Sequence, residues 1–225
     1  MNDATTFESA GFATVRDVLS PSDCDSLTMQ LASMHHGAPG QRMHLDNAWC
    51  RSMAVRLRSS DALASLIPAG HVAVQCISFE KSGALNWLVP AHQDLSIPVA
   101  RRVEHDDLIG WSLKDECLFV QPPEPVLRSL VVVRLSLDAC GDDDGPLEVV
   151  PGTHALGRVP AREIRALRRG STAVRCTHSR GDAFVMRPLL IHASSKATGS
   201  SRRRVLHFVY GPRQLPCNLQ WSRTA

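Results

Sequence analysis

Gly181–Tyr210 reads GDAFVMRPLLIHASSKATGSSRRRVLHFVY, and its two ends decide the fold. GDAFVM (181–186) and RRVLHFVY (203–210) are short apolar or alternating runs bounded by turn residues, a pattern of strands. In the second run, Arg203, Val205, His207 and Val209 share one face, while Arg204, Leu206, Phe208 and Tyr210 share the other. Only one arginine phase can therefore look into the interior of a barrel.

Working outward, HVAVQCISFEK (71–81), SLVVVRLSLDA (129–139) and PLEVV (146–150) also read as strands. Turn signals separate them at 141–146, at Pro151-Gly152 and at Gly181-Asp182. Upstream of residue 71 the texture is helical. Ser20-Pro21-Ser22-Asp23 offers an N-cap, a proline at the first helical position and an acid in the first turn, and Leu27, Leu31 and Met34 follow at helical spacing. A second helix is expected through Met53, Leu57, Leu63 and Leu66, stopping before Pro68, and PAREIRALRR (160–169) predicts a short surface helix. Helices first and many short strands later predict a mainly β fold with flanking helices, a barrel or sandwich on a helical buttress. The 225 residues fit a single domain, with the buttress over about 1–70 and the β core over about 71–212.

Composition narrows the partners. No apolar run reaches the ~20 residues of a membrane span. MNDATTFESAGF lacks the basic-then-hydrophobic order of a secretory leader, so a cytoplasmic protein with no membrane partner is expected. The seven cysteines are scattered singly with no C-x-x-C pair, which predicts buried reduced thiols instead of a disulfide framework or zinc knuckle. A net charge of +3 and aromatics at 5% leave little to bind phosphates or stack on bases, so nucleic acid is not expected.

Three H-x-D pairs occur, His44/Asp46, His92/Asp94 and His105/Asp107. About 0.7 are expected by chance from the His and Asp content, so the motif alone selects nothing. Context does. His44-Leu45-Asp46 lies between the two expected helices, and His105 sits in the charged stretch RRVEHDD, a solvated loop. His92-Gln93-Asp94 follows a strand and the apolar-aromatic turn NWLVP and leads into LSIPV. Only there can strand geometry aim two side chains, two positions apart, to one side. Two histidines and one carboxylate with open positions are the face that suits catalytic Fe(II).

NWLVPAHQDLSIPV (86–99), RLSLDACGDDDGPLEVVPGTH (134–154) and the opening segment, 181–210, together resemble the phytanoyl-CoA dioxygenase-like family of iron/2-oxoglutarate oxygenases over roughly residues 71–212. The resemblance implies a double-stranded β-helix of the jelly-roll, cupin-like kind, with Fe(II) held by His92, Asp94 and His192. It places Arg203, eleven positions after His192, on the distal carboxylate of the co-substrate 2-oxoglutarate, where a guanidinium fork pairs bidentately. It further suggests Gln75, Lys81 and Trp111 as oxo-acid contacts, Gln75 departing from the hydrophobic residue of some members. The implied reaction consumes O2 and 2-oxoglutarate, releases succinate and CO2, and hydroxylates a small-molecule substrate. Asp94 argues against halogenation, because halogenating members lack that carboxylate. Desaturation or another oxidation, a non-catalytic metal- or ligand-binding β-helix and a cupin-like metalloenzyme without an oxo-acid are the rival readings.

Arg134 interrupts the apolar strand SLVVVRLSLD, and a buried arginine needs a partner, either Asp138 or an acidic substrate group. The structural pair with Asp138 is the expectation. His35, His36, His71, His154, His178 and His207 are expected as surface or hydrogen-bonded core groups. The nearly thirty residues from Pro98 to Val126 exceed the ~4–6 of an ordinary connection and predict a substrate-determining lid, with Arg101, Arg102, Trp111, Lys114, Phe119 and Gln121 as its contacts.

Overall fold

The computed structural model describes residues 3–34, 40–42 and 44–225, so His35 and His36 lie outside the described residues. In chain order the helices are α1 (Asp3–Ala10), α2 (Pro21–Ser33), α3 (Ala48–Arg58), α4 (Glu124–Ser129) and α5 (Ala161–Gly170). The strands are β1 (Phe12–Val15), β2 (Gly40–Gln41), β3 (His71–Lys81), β4 (Val89–His92), β5 (Ile97–Val99), β6 (Ile109–Lys114) and β7 (Cys117–Gln121). They continue with β8 (Val131–Ser136), β9 (Leu147–Val149), β10 (Val174–Cys176), β11 (Ala183–Met186), β12 (His192–Ser194) and β13 (Arg203–Pro212).

The start of α2 follows from its cap. The Asp23 amide donates to Ser20 Oγ at 3.1 Å and the Ser20 amide to Asp23 Oδ2 at 3.0 Å, so two otherwise orphaned donors are satisfied reciprocally. The second helix is shorter than its apolar pattern: α3 ends at Arg58, and Leu63 and Leu66 are buried from turns. Ser59, Ser60 and Asp61 interrupt it, residue types whose side chains compete for the backbone. Phe12–Val15, inside the stretch read as helical, is instead a strand paired with β11.

A six-stranded antiparallel sheet of order β1-β11-β8-β13-β3-β2 faces a four-stranded sheet of order β10-β9-β12-β4. Alternation along β8 and β13 sorts side chains between two cores. Val131, Val133, Leu135, Leu206, Phe208 and Tyr210 join the cluster with the buried faces of α2 and α3. Val132 and Val209 point the other way, into the cluster with Leu147 and Val149 of the smaller sheet. Each large side chain so buried contributes about 1.5–3 kcal/mol. Tyr210 also donates to the Ala54 carbonyl at 2.9 Å and ties α3 to the large sheet. The phase that carries Arg203 and His207 therefore looks between the sheets, and the N-terminal helices buttress the outside. This is the jelly-roll arrangement the family resemblance implies.

The segment expected as a long lid is ordered. β5, β7 and β6 form a three-stranded antiparallel sheet, and Glu124 and Pro125 begin α4. The β6–β7 hairpin turns on Asp115 and Glu116, with φ of 47° and 61°. Two positive φ values at the centre of a two-residue turn usually call for Asn-Gly or Asp-Gly. Asp-Glu hides the turn from sequence.

Candidate metal centre and its cavity

His92 ends β4 and His192 begins β12, and the two residues are direct partners across the ladder. Their rings stand 4.2 Å apart, centroid to centroid. Asp94 lies just beyond β4, with Oδ1 3.6 Å from His92 Nε2 and Oδ2 3.8 Å from His192 Nε2. The three ligand atoms all lie within 4.8 Å of one another. Each imidazole is oriented by the same device: His92 Nδ1–H donates to the Pro90 carbonyl and His192 Nδ1–H to the Leu190 carbonyl, both at 2.8 Å. That leaves both Nε2 lone pairs turned to one point, the tautomer a metal ligand requires.

Gln93, between the two ligands, points the opposite way and is buried. Its Nε2 donates to the Gly157 and Leu189 carbonyls at 2.8 and 2.6 Å, and its Oε1 accepts from the Val159 amide at 2.9 Å. The Asp94 amide donates to the Pro188 carbonyl at 2.9 Å. These bonds hold the short stretch after β4 against the segments at 157–159 and 188–189. Gln93 is a positioning residue that motif reasoning passed over, because only the flanking positions carry chemistry.

The charges suit a cation. Burial would raise the Asp94 carboxyl, but His192 and His92 beside it hold it well below the usual carboxylate range. Burial pushes His192 down to about 4, so it is neutral at physiological pH. For His92, burial opposes protonation, yet the Asp94 carboxylate beside it outweighs that and lifts the imidazole above its ordinary value.

A cavity of about 530 Å³ opens beside the triad. Arg203, His207 and Val209 of β13, Arg134 of β8 and Gln75 of β3 line it. The three consecutive arginines differ in their partners. Arg202 grips Glu80 through two bonds of 2.8 and 2.9 Å, and Arg204 grips Asp138 through side-chain bonds of 2.7 and 2.6 Å. Arg203, buried, spends Nη1 on the Gly145 carbonyl at 2.8 Å, while its Nε is buried without a hydrogen-bond partner. Gly145 has φ of +62°, and a Cβ there would lie 2.5 Å from the Ser195 carbonyl. Only glycine fits that close approach, and the same Gly145 carbonyl accepts from Ser194 Oγ at 2.9 Å.

The other expected residues scatter. Lys81 stands opposite Arg203 in the ladder but donates to Ser194 Oγ at 2.6 Å and to the Ser195 carbonyl, and it is not a lining residue of the cavity. Burial pushes its ammonium down to about 8. Trp111 is not brought to the cavity either: it lies in β6, 5.2 Å beneath the Arg102 guanidinium. Lys114, Phe119 and Gln121 do reach the cavity wall, whereas Arg101 and Arg102 are exposed away from it. His44 is buried against Ser78 Oγ at 2.8 Å, Asp46 pairs with Arg223, and His105 and Asp107 are exposed. His154 donates to the Glu8 carbonyl at 3.1 Å and packs against Gly11, a structural role as expected.

One expectation needs correction. Asp138 is not the partner of Arg134, because Arg204, on the outer face with it, takes both carboxylate oxygens. His207, expected as a surface or hydrogen-bonded core group, is buried and accepts from Arg134 Nη1 at 3.1 Å, and it also lines the cavity. The alternation of β13 already placed His207 on the face of Arg203, and that signal could have found it.

A jelly roll presenting two imidazoles and a carboxylate at the edge of an interior cavity defines a class, the mononuclear metal-site β-helix proteins. Within it, the chain belongs to the phytanoyl-CoA dioxygenase (PhyH) family, whose model matches residues 7–205. Among curated protein sequences none matches this chain. Solved structures share its fold. The epimerase SnoN, in complex with Fe3+, alpha ketoglutarate and nogalamycin RO, is similar at a TM-score of 0.70 and 14% identity, covering 96% of this chain and 86% of that one. The carbocyclase SnoK from nogalamycin biosynthesis is similar at 0.69 and 14%, covering 93% and 83%. HygX from Streptomyces hygroscopicus, with nickel and 2-oxoglutarate bound, is similar at 0.63 and 17%, covering 93% and 86%.

Proposed function

We propose that the protein is an Fe(II)- and 2-oxoglutarate-dependent oxygenase that hydroxylates a small molecule. The observation that carries this reading is the convergence of His92 Nε2, His192 Nε2 and an Asp94 oxygen within 4.8 Å, each imidazole pre-turned by a carbonyl two residues earlier. Two imidazole nitrogens and one carboxylate oxygen on one face fit Fe(II) and leave positions for a bidentate oxo-acid and O2. The buried, unspent Nε of Arg203 fits the distal carboxylate of that oxo-acid. Bound iron with 2-oxoglutarate and O2 supplies an oxidation coupled to release of succinate and CO2. The chain's own residues do the rest: the triad sets the coordination face, Arg203 aligns the co-substrate, Gln75 offers a polar contact, and the walls exclude water.

Membership in the family and structural neighbours holding iron or nickel with 2-oxoglutarate support this reading. No described helix is long and apolar enough to cross a membrane, and all seven cysteines are free, in keeping with a cytoplasmic enzyme. The test is succinate formation by purified protein given Fe(II), 2-oxoglutarate and O2. Turnover that needs all three supports the reading. Iron and oxo-acid binding without succinate would instead make this a binding protein, and activity without the oxo-acid would make it a cupin-like enzyme. Because two neighbours are an epimerase and a carbocyclase, product mass is the second readout. Hydroxylation adds one oxygen, desaturation or ring closure removes two hydrogens, and epimerisation leaves the mass unchanged.

A further inference from the structure

Arg134 sits in a strand whose neighbours, Val131, Val132, Val133 and Leu135, are completely buried. Its side chain lines the cavity beside the triad. Among the described residues no carboxylate lies within 4.0 Å of it, since Arg204 holds Asp138. Its protein contacts are the hydrogen bond to His207 Nδ1 and the face of Phe79, 5.7 Å from the guanidinium carbon. The bond to His207 uses one of five guanidinium donors. A cation in this setting is costly unless something anionic joins it. The cavity as a whole points the same way. Arg42, Lys114, Arg134 and Arg203 line it against the single carboxylate of Asp94, and Arg42 is already paired with Asp115 at 2.8 Å.

One dicarboxylate cannot satisfy both free guanidiniums. Held at the triad and by Arg203, 2-oxoglutarate has no carboxylate left for a second fork. Arg134 is opposite His207, four residues along β13 from Arg203, so the two arginines start about 13 Å apart along the strand, although their side chains also border a common small pocket. We propose that Arg134 seats a carboxylate of the primary substrate, a reading that rests on the oxygenase assignment above and names the class of molecule it takes. The substrate is an organic acid whose carboxylate is gripped by the guanidinium fork, which positions its reacting carbon beside the metal.

The test uses the full chain loaded anaerobically with redox-silent Mn(II) and 2-oxoglutarate. Formate, propionate and benzoate, each beside its neutral amide, are titrated by calorimetry into the wild type, Arg134→Met, Arg134→Lys and Arg203→Met. We expect at least one carboxylate to bind the wild type and its amide to bind at least tenfold more weakly. Arg134→Met should lose that carboxylate by tenfold or more while the affinity for 2-oxoglutarate changes less than threefold. Arg134→Lys should recover only part of the loss. Arg203→Met should show the opposite pattern. No carboxylate binding in the wild type, equal binding of acids and amides, or full binding by Arg134→Met would overturn the proposal. So would a loss of 2-oxoglutarate in Arg134→Met as large as in Arg203→Met, which would assign Arg134 to the oxo-acid. Thermal melting separates a structural role: Arg134→Met should melt no lower than the wild type, because a charge without a carboxylate partner is removed from the cavity wall, and a clear drop would count against the proposal. The metal and 2-oxoglutarate titrations report on the oxygenase reading, so failure of either is visible on its own.

Discussion

β13 runs for ten residues, paired with β3 from Arg203 onward and with β8 from Val205 onward. Its one register shift lies past His207, between Val209 and Tyr210, so Arg203 and His207 inherit their positions from an unbroken stretch of ladder. β4 and β12, which carry or adjoin the three candidate ligands, are four and three residues long, and their pairing is irregular between His192 and Ser194. One wall of the cavity is thus held by register. The other combines short ladders, β12 on β9 and on β4, with individual hydrogen bonds: two histidine-to-carbonyl contacts, the three bonds of Gln93 and the Asp94 amide on Pro188. A ladder resists the loss of any one side chain, whereas a set of single contacts does not.

The sharpest attack on the short-strand wall is at the metal. His192→Ala, His92→Ala and Asp94→Ala should each abolish stoichiometric Fe(II) binding in an anaerobic titration, while alanine at His44, Asp46, His105 or Asp107 leaves it intact. Retained stoichiometric iron in the His192→Ala protein would sink the assignment. On the ladder wall, Arg203→Ala should weaken 2-oxoglutarate binding by tens- to several-hundred-fold, on the order of 2–4 kcal/mol for a charge-assisted bidentate contact. Arg202→Ala and Arg204→Ala should change it little, because their forks are spent on Glu80 and Asp138. Equal effects from all three would replace the clamp with a diffuse basic patch.

Gln93→Ala probes the contrast directly. It strands two carbonyls and an amide in a buried place, which should cost about 3 kcal/mol, roughly 6–12 °C of Tm in a chain of this size, and it should weaken iron binding as well. A melting loss with unchanged iron affinity would mean that the short strands hold the ligands without the clamp. The smallest effect concerns Lys81, which joins the two walls through Ser194. Burial lowers its ammonium from 10.5 to about 8. Between those values the unfolded chain keeps a proton that the folded chain has released, so stability should rise with pH across that window. The rise should be on the order of 1–2 kcal/mol, read from urea midpoints at pH 8 and pH 10. Lys81→Met should flatten it, and an unchanged slope would place its origin elsewhere.

Much of the large sheet was legible because its strands are long or wholly apolar: β3 matches HVAVQCISFEK end to end, β8 and β11 fall within their expected runs, and β13 runs two residues past RRVLHFVY. The short strands were not. β9 lies within the expected PLEVV, but β4, β10 and β12 offer three or four residues each, too few for a period to emerge. The same limit left Pro98–Val126 as one long connection without strands, since its hairpin turns on Asp115-Glu116 without a glycine. Gln75, Arg203 and the triad were picked from sequence and meet at one cavity, while Trp111 was picked from sequence and does not.

From the chain alone followed whatever depends on local order. The alternation of β13 set Arg203 on a different face from Arg202 and Arg204, the family resemblance picked its phase as the inward one, and two-residue spacing allowed His92 and Asp94 to share a side. Tertiary structure alone decided which groups are left without partners. Arg134 and Arg204 both sit in strands of the large sheet, with Asp138 four residues from one and sixty-six from the other. Asp138 goes to the more distant one, because neighbouring strands bring them together on the outer face and leave Arg134 facing the cavity. Pairing of charges is set by distance in space, and across an antiparallel sheet that distance bears no relation to separation along the chain.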